Sequence, residues 1–245
     1  MTLAGRVGVT RPAGRGRSLA AALVACGLEA IEVPLIETRV TSDLAPLRRA
    51  LGEGASLVVL SSTTSVPALV AAGGAPERSR VAAVGPATSA ALAEAGLPAA
   101  VVGDGSGGAA LAELIGRPAT PGERAVVLAA AGGRREVVEG LAGLGWLVEE
   151  VVVYSTVPCD VSPADVVALD ACDVVSFASP SAVEAFVALR DGDGRALEPR
   201  PAVAIGETTA SAARAAGFDV VLADEATDEA MAQAATQAIG RAHGS

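Results

Sequence analysis

The sequence contains no lysine; all 18 of its basic residues are arginines. A Schiff-base amine and a phosphate-loop lysine are therefore unavailable. Histidine is almost missing too, since the single one, His243, lies close to the C-terminus, which argues against a Ser-His-Asp triad and against any histidine-based metal site. No metal is expected. Aromatic residues make up only 2%, namely Phe177, Phe186, Phe218, Tyr154 and Trp146, so cores must be filled by Ala, Val and Leu, and stacking platforms are scarce. Cys26, Cys159 and Cys172 are odd in number, irregularly spaced and without a CxxC pair. With no charged-plus-apolar signal at the N-terminus, a reducing cytoplasm is the expectation. No stretch of about 18 apolar residues runs free of charge, Gly/Pro breaks or polar clusters, so no transmembrane span is expected.

What the chain does have is acid: its net charge is -10 and its pI about 4.6. Wrapping a nucleic-acid backbone needs a basic face, so no nucleic-acid partner is expected. At 245 residues, two compact domains of about 120 residues each are the natural prior.

Short β-rich runs alternate with Ala/Leu-rich amphipathic runs almost end to end, the pattern of parallel sheets covered by helices on both faces. Strands are expected at Val7 to Thr10, Leu28 to Ile36, Leu57 to Ser61, Val81 to Val84 and Ala99 to Val102. A second set is expected at Ala125 to Leu128, Leu147 to Tyr154, Asp173 to Phe177, Ala202 to Ile205 and Val220 to Ala223. The fold class is thus α/β, with two similar domains, each a parallel five-stranded sheet flanked by helices.

The chain also resembles itself. Arg6 to Thr38 lines up without a gap on Arg124 to Thr156, each reading strand, helix, glycine and long strand. SLVVLSSTTSV from Ser56 matches DVVSFASPSAV from Asp173, pairing Ser62 with Ser179. VAAVGPATSAALAEAG, Val81 to Gly96, matches AVAIGETTASAARAAG, Ala202 to Gly217, pairing Gly85 with Gly206 and Thr88 with Thr209. One division of this repeat is tandem, with the Pro-rich Arg117 to Glu123 as linker. The other exchanges parts, joining 1–37 to 157–245 as one discontinuous domain and leaving 40–152 as the second, with crossover strands near 36–41 and 150–157. Spacing alone leaves both open. The two long equivalent strands around Ile36 and Val153 lean toward exchange, since each exceeds the usual five or six residues.

Each Gly-x-x-Thr element follows a strand and opens a helix, so Gly85 and Gly206 can admit a ligand to the backbone while Thr88 and Thr209 expose hydroxyls. Ordinary capping explains the same residues. SerSerThrThrSer, including Ser62 and Thr63, and SerProSer, Ser179 to Ser181 with Pro180, sit at the carboxyl ends of strands, the ligand edge of an open α/β sheet. Capping with Pro180 at the first helical position is compatible with that role. Arg11, Arg15 and Arg17 follow the first strand, and Arg134 and Arg135 occupy the equivalent turn of the second copy, where guanidinium groups can hold carboxylates. Tyr154, the only tyrosine, ends a long strand, where packing is the first expectation for such a ring and donation of a proton to a leaving hydroxyl is the second. No GxGxxG follows the first strand, Gly103 to Gly108 lacks a lysine and reads as a mobile loop before a helix, and Asp191 to Gly194 lacks calcium-loop spacing.

VTRP before a helix, FxSPSAVxxF from Phe177 to Phe186, the two Gly-x-x-Thr elements and VVVYST from Val151 to Thr156 together resemble the uroporphyrinogen-III synthase family. The resemblance runs from about Arg6 to Ile239. It implies two α/β domains with exchanged parts, joined by a two-stranded linker, and a cleft between them. It implies cyclisation of hydroxymethylbilane to uroporphyrinogen III, with inversion of the last ring and loss of water, by a cofactor-free, monomeric, cytoplasmic lyase. The implied partners are hydroxymethylbilane and, transiently, the preceding enzyme of the pathway; no membrane is implied. Tyr154 matches the family tyrosine assisting departure of the substrate hydroxyl. Thr88, Thr209, Ser179 and Ser181 match cleft-lining hydroxyl positions, Arg11 matches the arginine after the first strand, and Ser62 matches the corresponding first-copy serine. SerSerThrThrSer departs from the family's aromatic-Thr-Ser-Pro pattern, and Ala129 to Gly133 lacks the expected Pro-Arg character. Because an octacarboxylate substrate must meet an acidic protein, Arg11, Arg15 or Arg134 is expected to face it. The alternative is a two-lobed small-ligand binding protein without catalysis.

Overall fold

A computed structural model describes residues 5–192 and 200–243. The chain divides into two compact units, a first of Met1–Glu37 with Val157–Ser245 and a second of Thr38–Thr156. The first unit begins with β1 (Arg6–Val9), α1 (Arg17–Ala25) and β2 (Glu29–Glu32), and β3 (Ile36–Val40) carries the chain across the division. The second unit continues with α2 (Ala45–Gly52), β4 (Ala55–Leu60), a 3-10 turn (Thr63–Ser65), α3 (Val66–Ala71), β5 (Arg80–Ala83) and α4 (Pro86–Glu94). It closes with β6 (Val101–Val102), α5 (Gly108–Ile115), β7 (Arg124–Ala130) and α6 (Glu136–Gly143), before β8 (Leu147–Pro158) crosses back. The rest of the first unit is α7 (Pro163–Asp170), β9 (Val174–Phe177), α8 (Pro180–Gly192), β10 (Pro201–Ala204), α9 (Glu207–Ala215), β11 (Asp219–Leu222) and α10 (Asp228–His243). Of the AspGlyAspGly run, Asp193 and Gly194 lie outside the described residues.

The sheet of the first unit has the order β11-β10-β9-β1-β2, and every pairing in it is parallel. That of the second has the order β3-β8-β7-β4-β5-β6, parallel throughout from β8 to β6. In each, strand order reverses once, between β1 and β9 and between β4 and β7. Right-handed crossovers then send helices to opposite faces, which leaves a crevice at the carboxyl ends of those two neighbouring strands.

Alternation along each strand explains the layers. On β4, Val58 and Leu60 pack with Leu69, Leu92 and Val126, whereas Leu57 and Val59 pack with Leu111, Ile115, Leu141 and Trp146 on the opposite face. Scarce aromatics are concentrated rather than spread: Phe177, Phe186 and Phe218 meet edge to face in the first unit, with centroids 5.3 to 5.7 Å apart.

The expected strand from Leu28 to Ile36 is not continuous. It breaks after Glu32 and resumes at Ile36, because Pro34 has no N–H to offer a ladder. Val33 and Leu35 still donate to the carbonyls of Val9 and Thr10, at 3.0 and 3.3 Å, so the segment stays beside β1 without being a strand. The other long strand is real, since β8 runs 12 residues. Arg117 to Glu123 joins α5 to β7 inside the second unit. Among the described residues no helix is long and apolar enough to cross a membrane.

Candidate functional site

The crevice of the second unit is an open cavity of about 280 Å³ at the carboxyl ends of β4, β5 and β7. Its walls include Ser61 after β4, Ala129 and Ala130 at the end of β7, Tyr154 of β8, and Arg134 and Glu136 around the start of α6. Gly105, Gly107 and Gly108 close it from the loop that enters α5.

Local sequence explains why these residues converge. The ladder between β7 and β8 slips by one residue between Ala129 and Ala130, so that Ala130 pairs with Tyr154 rather than Val153. Such a bulge re-aims the side chain that follows it, and the Ala131 N–H fixes the new register by donating to the Tyr154 carbonyl at 2.8 Å. Tyr154 is half-buried, and its hydroxyl has no hydrogen-bond partner among the described residues. The Gly-rich loop is held by close packing: a Cβ on Gly108 would stand 2.8 Å from the amide nitrogen of Val137, so only glycine lets the starts of α5 and α6 approach this closely. Glu136 bridges them, accepting from the Gly108 N–H at 3.3 Å, while its other oxygen lies 3.7 Å from the Arg134 guanidinium. Within the loop, Asp104 accepts from the Ser106 hydroxyl and N–H, which hold its carboxyl below the usual range.

Of the residues singled out in the sequence, the structure brings Tyr154 and Arg134 into this cavity. Gly85 adjoins it as the residue before α4, buried with a would-be Cβ 3.1 Å from the Gly105 Cα. Ser62 caps the 3-10 turn, accepting from the Thr64 N–H at 3.2 Å, and Thr63 is exposed beside it. In the first unit, Ser179 accepts from the Ala182 N–H at 3.3 Å at the start of α8, with Pro180 and Ser181 half-buried in its first turn. Gly206 precedes α9 with nothing within 4 Å of a would-be Cβ. Arg15 lies in an exposed turn, its N–H donating to the Pro12 carbonyl at 2.9 Å.

Two expectations need correction. Thr88 and Thr209 do not expose their side chains, since both residues are only 4% accessible. Gly85 and Gly206 occupy the cap positions, which makes each threonine the third helical residue, on the sheet-facing side with Leu92 and Ala213 one turn on. Arg11 does not project freely either: its guanidinium meets Asp228 at 2.6 Å and the Met231 sulfur at 3.4 Å. Burial works to raise the Asp228 pKa, but hydrogen bonds from Arg11 and Ser18 and the Arg11 charge outweigh it, leaving the carboxyl below its ordinary value.

Ser61, the first residue of the SerSerThrThrSer run read as ligand edge, does line the cavity, whereas sequence reasoning missed Glu136 and the glycines at 105, 107 and 108 as wall residues. The available signal was a Gly-rich run between a strand and a helix on the ligand edge, read only as a loop. Among the described residues no group of three or more His, Cys, Asp or Glu is placed to hold a metal ion.

Two doubly wound units, one discontinuous in sequence, and a glycine-walled cavity at a strand-order reversal define a class: α/β proteins that bind a ligand at the carboxyl edge of a parallel sheet. The family model for uroporphyrinogen-III synthase HemD matches residues 17–233, and the chain belongs to that family. A mutant uroporphyrinogen III synthase from the extreme thermophile Thermus thermophilus is similar in structure, with a TM-score of 0.56, 24% identity and coverage of 97% of this chain and 99% of that one. Uroporphyrinogen-III synthetase from Helicobacter pylori gives a TM-score of 0.63 at 16% identity, covering 95% of this chain and 99% of that one. At such identities the likeness concerns the fold. No curated protein matches the chain in sequence.

Proposed function

We propose that the chain closes hydroxymethylbilane to uroporphyrinogen III as a cofactor-independent, cyclising lyase, inverting the last pyrrole ring and releasing water. The observation carrying this reading is the family match across residues 17–233, which implies an enzyme; nothing favours the two-lobed binding protein. The two units would be its two domains, and the same reading carries a monomeric enzyme of the cytoplasm.

In this reaction the terminal hydroxyl departs as water and leaves an azafulvenium cation. Left alone, that cation closes to the wrong isomer. To make type III, the substituted position of the last ring must attack instead, so catalysis is chiefly a matter of proximity and orientation. Tyr154 is suited to donate a proton or hydrogen bond to the leaving hydroxyl, because it lines the cavity and its own hydroxyl has no hydrogen-bond partner among the described residues. Arg134 supplies positive charge at the same wall. Ser62, Thr63, Gly85, Ser179, Ser181 and Gly206 offer hydroxyls and backbone amides at the ligand edges of the sheets. Arg15 stands in an exposed turn of the first unit, and Arg11 is paired with Asp228.

The test is product analysis. Incubation with hydroxymethylbilane, oxidation and chromatographic separation should give the type III isomer in excess over a no-enzyme control. A distribution equal to that control overturns the reading. Tyr154→Phe should lower kcat by about a hundredfold or more, the usual range for a lost general acid. Its unfolding midpoint should barely move, since the hydroxyl has no hydrogen-bond partner among the described residues. The product should remain type III, because isomer choice rests on positioning; full activity would remove the proton-donor role alone.

A further inference from the structure

Glu136 is out of place in a cavity meant for a polycarboxylate. It adds a negative charge to the wall of a protein already at -10. It also takes up the donors that a substrate carboxylate would use, the Gly108 N–H at 3.3 Å and the Arg134 guanidinium at 3.7 Å. The contacts are weak. Arg134 and Glu136 side chains are 84% and 44% accessible, so their ion pair is long and solvent-screened. Both can leave at small cost. The Gly108 donor belongs to the backbone, at the first residue of α5, and no side chain could cover it, since a Cβ there would stand 2.8 Å from the Val137 nitrogen.

Resting on the proposed synthase reading, we infer that Glu136 is a carboxylate mask: it occupies a substrate-carboxylate subsite formed by the Gly108 amide and Arg134, and a substrate carboxylate displaces it on binding. The mask sets specificity by charge. A ligand with one weakly placed carboxylate does not displace Glu136, whereas a polycarboxylate anchored at other points presents one at high local concentration. When Glu136 swings out, Arg134 is released to the incoming group, and the cavity exchanges one carboxylate for another without a net change in its charge.

The probe is uroporphyrin III, the stable oxidised form of the product, titrated by its own fluorescence against wild type, Glu136→Gln, Glu136→Ala and Arg134→Ala. Both Glu136 variants should bind the probe roughly three- to tenfold more tightly, the scale expected for removing one like charge about 4 Å from another at an exposed site where water screens the pair almost as in bulk. Gln keeps an acceptor for the Gly108 N–H, so agreement between Gln and Ala identifies charge as the cause. The gain should shrink as salt rises, and Arg134→Ala should bind more weakly than wild type. Unchanged or weaker binding in Glu136→Gln overturns the mask, the latter by making Glu136 a direct partner of the ligand. If wild type makes type III product while the Glu136 variants bind as it does, the mask alone falls; if wild type makes none, the synthase reading falls with it.

Discussion

Gly85 and Gly206 occupy equivalent places in the two copies, yet the same substitution should have opposite effects on them. Each precedes a helix with extended backbone, at φ -165° and -163°, a conformation open to any residue. Neither is glycine because of its dihedral angles. Serine at such a position accepts from the first-turn amides and is worth a few tenths of a kcal/mol over glycine. Gly206→Ser should show that gain, since nothing lies within 4 Å of its new Cβ. At Gly85 the Cβ would meet the Gly105 Cα at 3.1 Å and the Gly105 nitrogen at 3.3 Å, both backbone atoms that yield only if the loop moves. Overpacking of this kind costs about 1–3 kcal/mol, which outweighs the cap. For a chain of this size, that corresponds to a Tm lower by roughly 2–12 °C. Trp146, the only tryptophan, is buried in the second unit, so its fluorescence follows the unit that contains Gly85, while circular dichroism follows both. Because Gly105 walls the cavity, Gly85→Ser should also raise KM. Equal stability of the two serine variants would refute the close backbone approach.

Asp228→Asn should destabilise the first unit by about 1–3 kcal/mol at neutral pH, because it strips Arg11 of its charged partner in a mostly buried site. The Asp228 pKa is lowered in the fold, so its contribution is complete above the ordinary carboxylate value and disappears as pH falls through the lower, folded one. Urea midpoints for wild type and variant should therefore converge only in strong acid; a gap that closes between about pH 5 and 7, well above the carboxylate range, would refute the pairing. Cys172 is buried, and desolvation pushes its thiol up to about 11. At about pH 8, near the pKa of an ordinary thiol, iodoacetamide should label exposed Cys26 well before Cys172, which should react only on unfolding; early labelling of Cys172, read by peptide mass, would contradict its burial.

The alternation of strands and helices was legible because buried parallel strands are nearly continuous apolar runs, and Leu57 to Leu60 or Val174 to Phe177 can be little else. The break at Pro34 was harder to see, since apolar alternation continues through it and only the missing N–H marks the stop. The site was legible as an edge but not as a set of residues. Tyr154 turns into the cavity through a ladder slip that no periodicity announces, and glycine walls carry no side-chain pattern at all. Thr88 and Thr209 misled for a related reason: Gly-x-x-Thr reads as a capping hydroxyl, but once glycine is the cap, helical geometry turns the threonine inward.

Comparing the two copies at their strand-order reversals shows how one template acquired two characters. In the first unit, Thr10 donates to the Ser176 carbonyl at 2.8 Å and Ser176 to the Gly8 carbonyl at 2.9 Å, so two buried hydroxyls tie β1 to β9. Their counterparts in the second unit, by the internal alignment, are Leu128 and Val59, which are fully apolar and buried. There the hydroxyl sits further out, on Ser61, with only a long 3.5 Å contact to the Leu128 carbonyl. A buried hydroxyl bonded to a neighbouring strand contributes to the fold, and one at the sheet edge remains available to a ligand. At these positions the second unit has apolar residues between its strands and its hydroxyl at their ends, on the wall that Tyr154 and Arg134 share. It follows that damage to the Thr10 and Ser176 pair should appear as lost stability, and damage to Ser61 as altered binding.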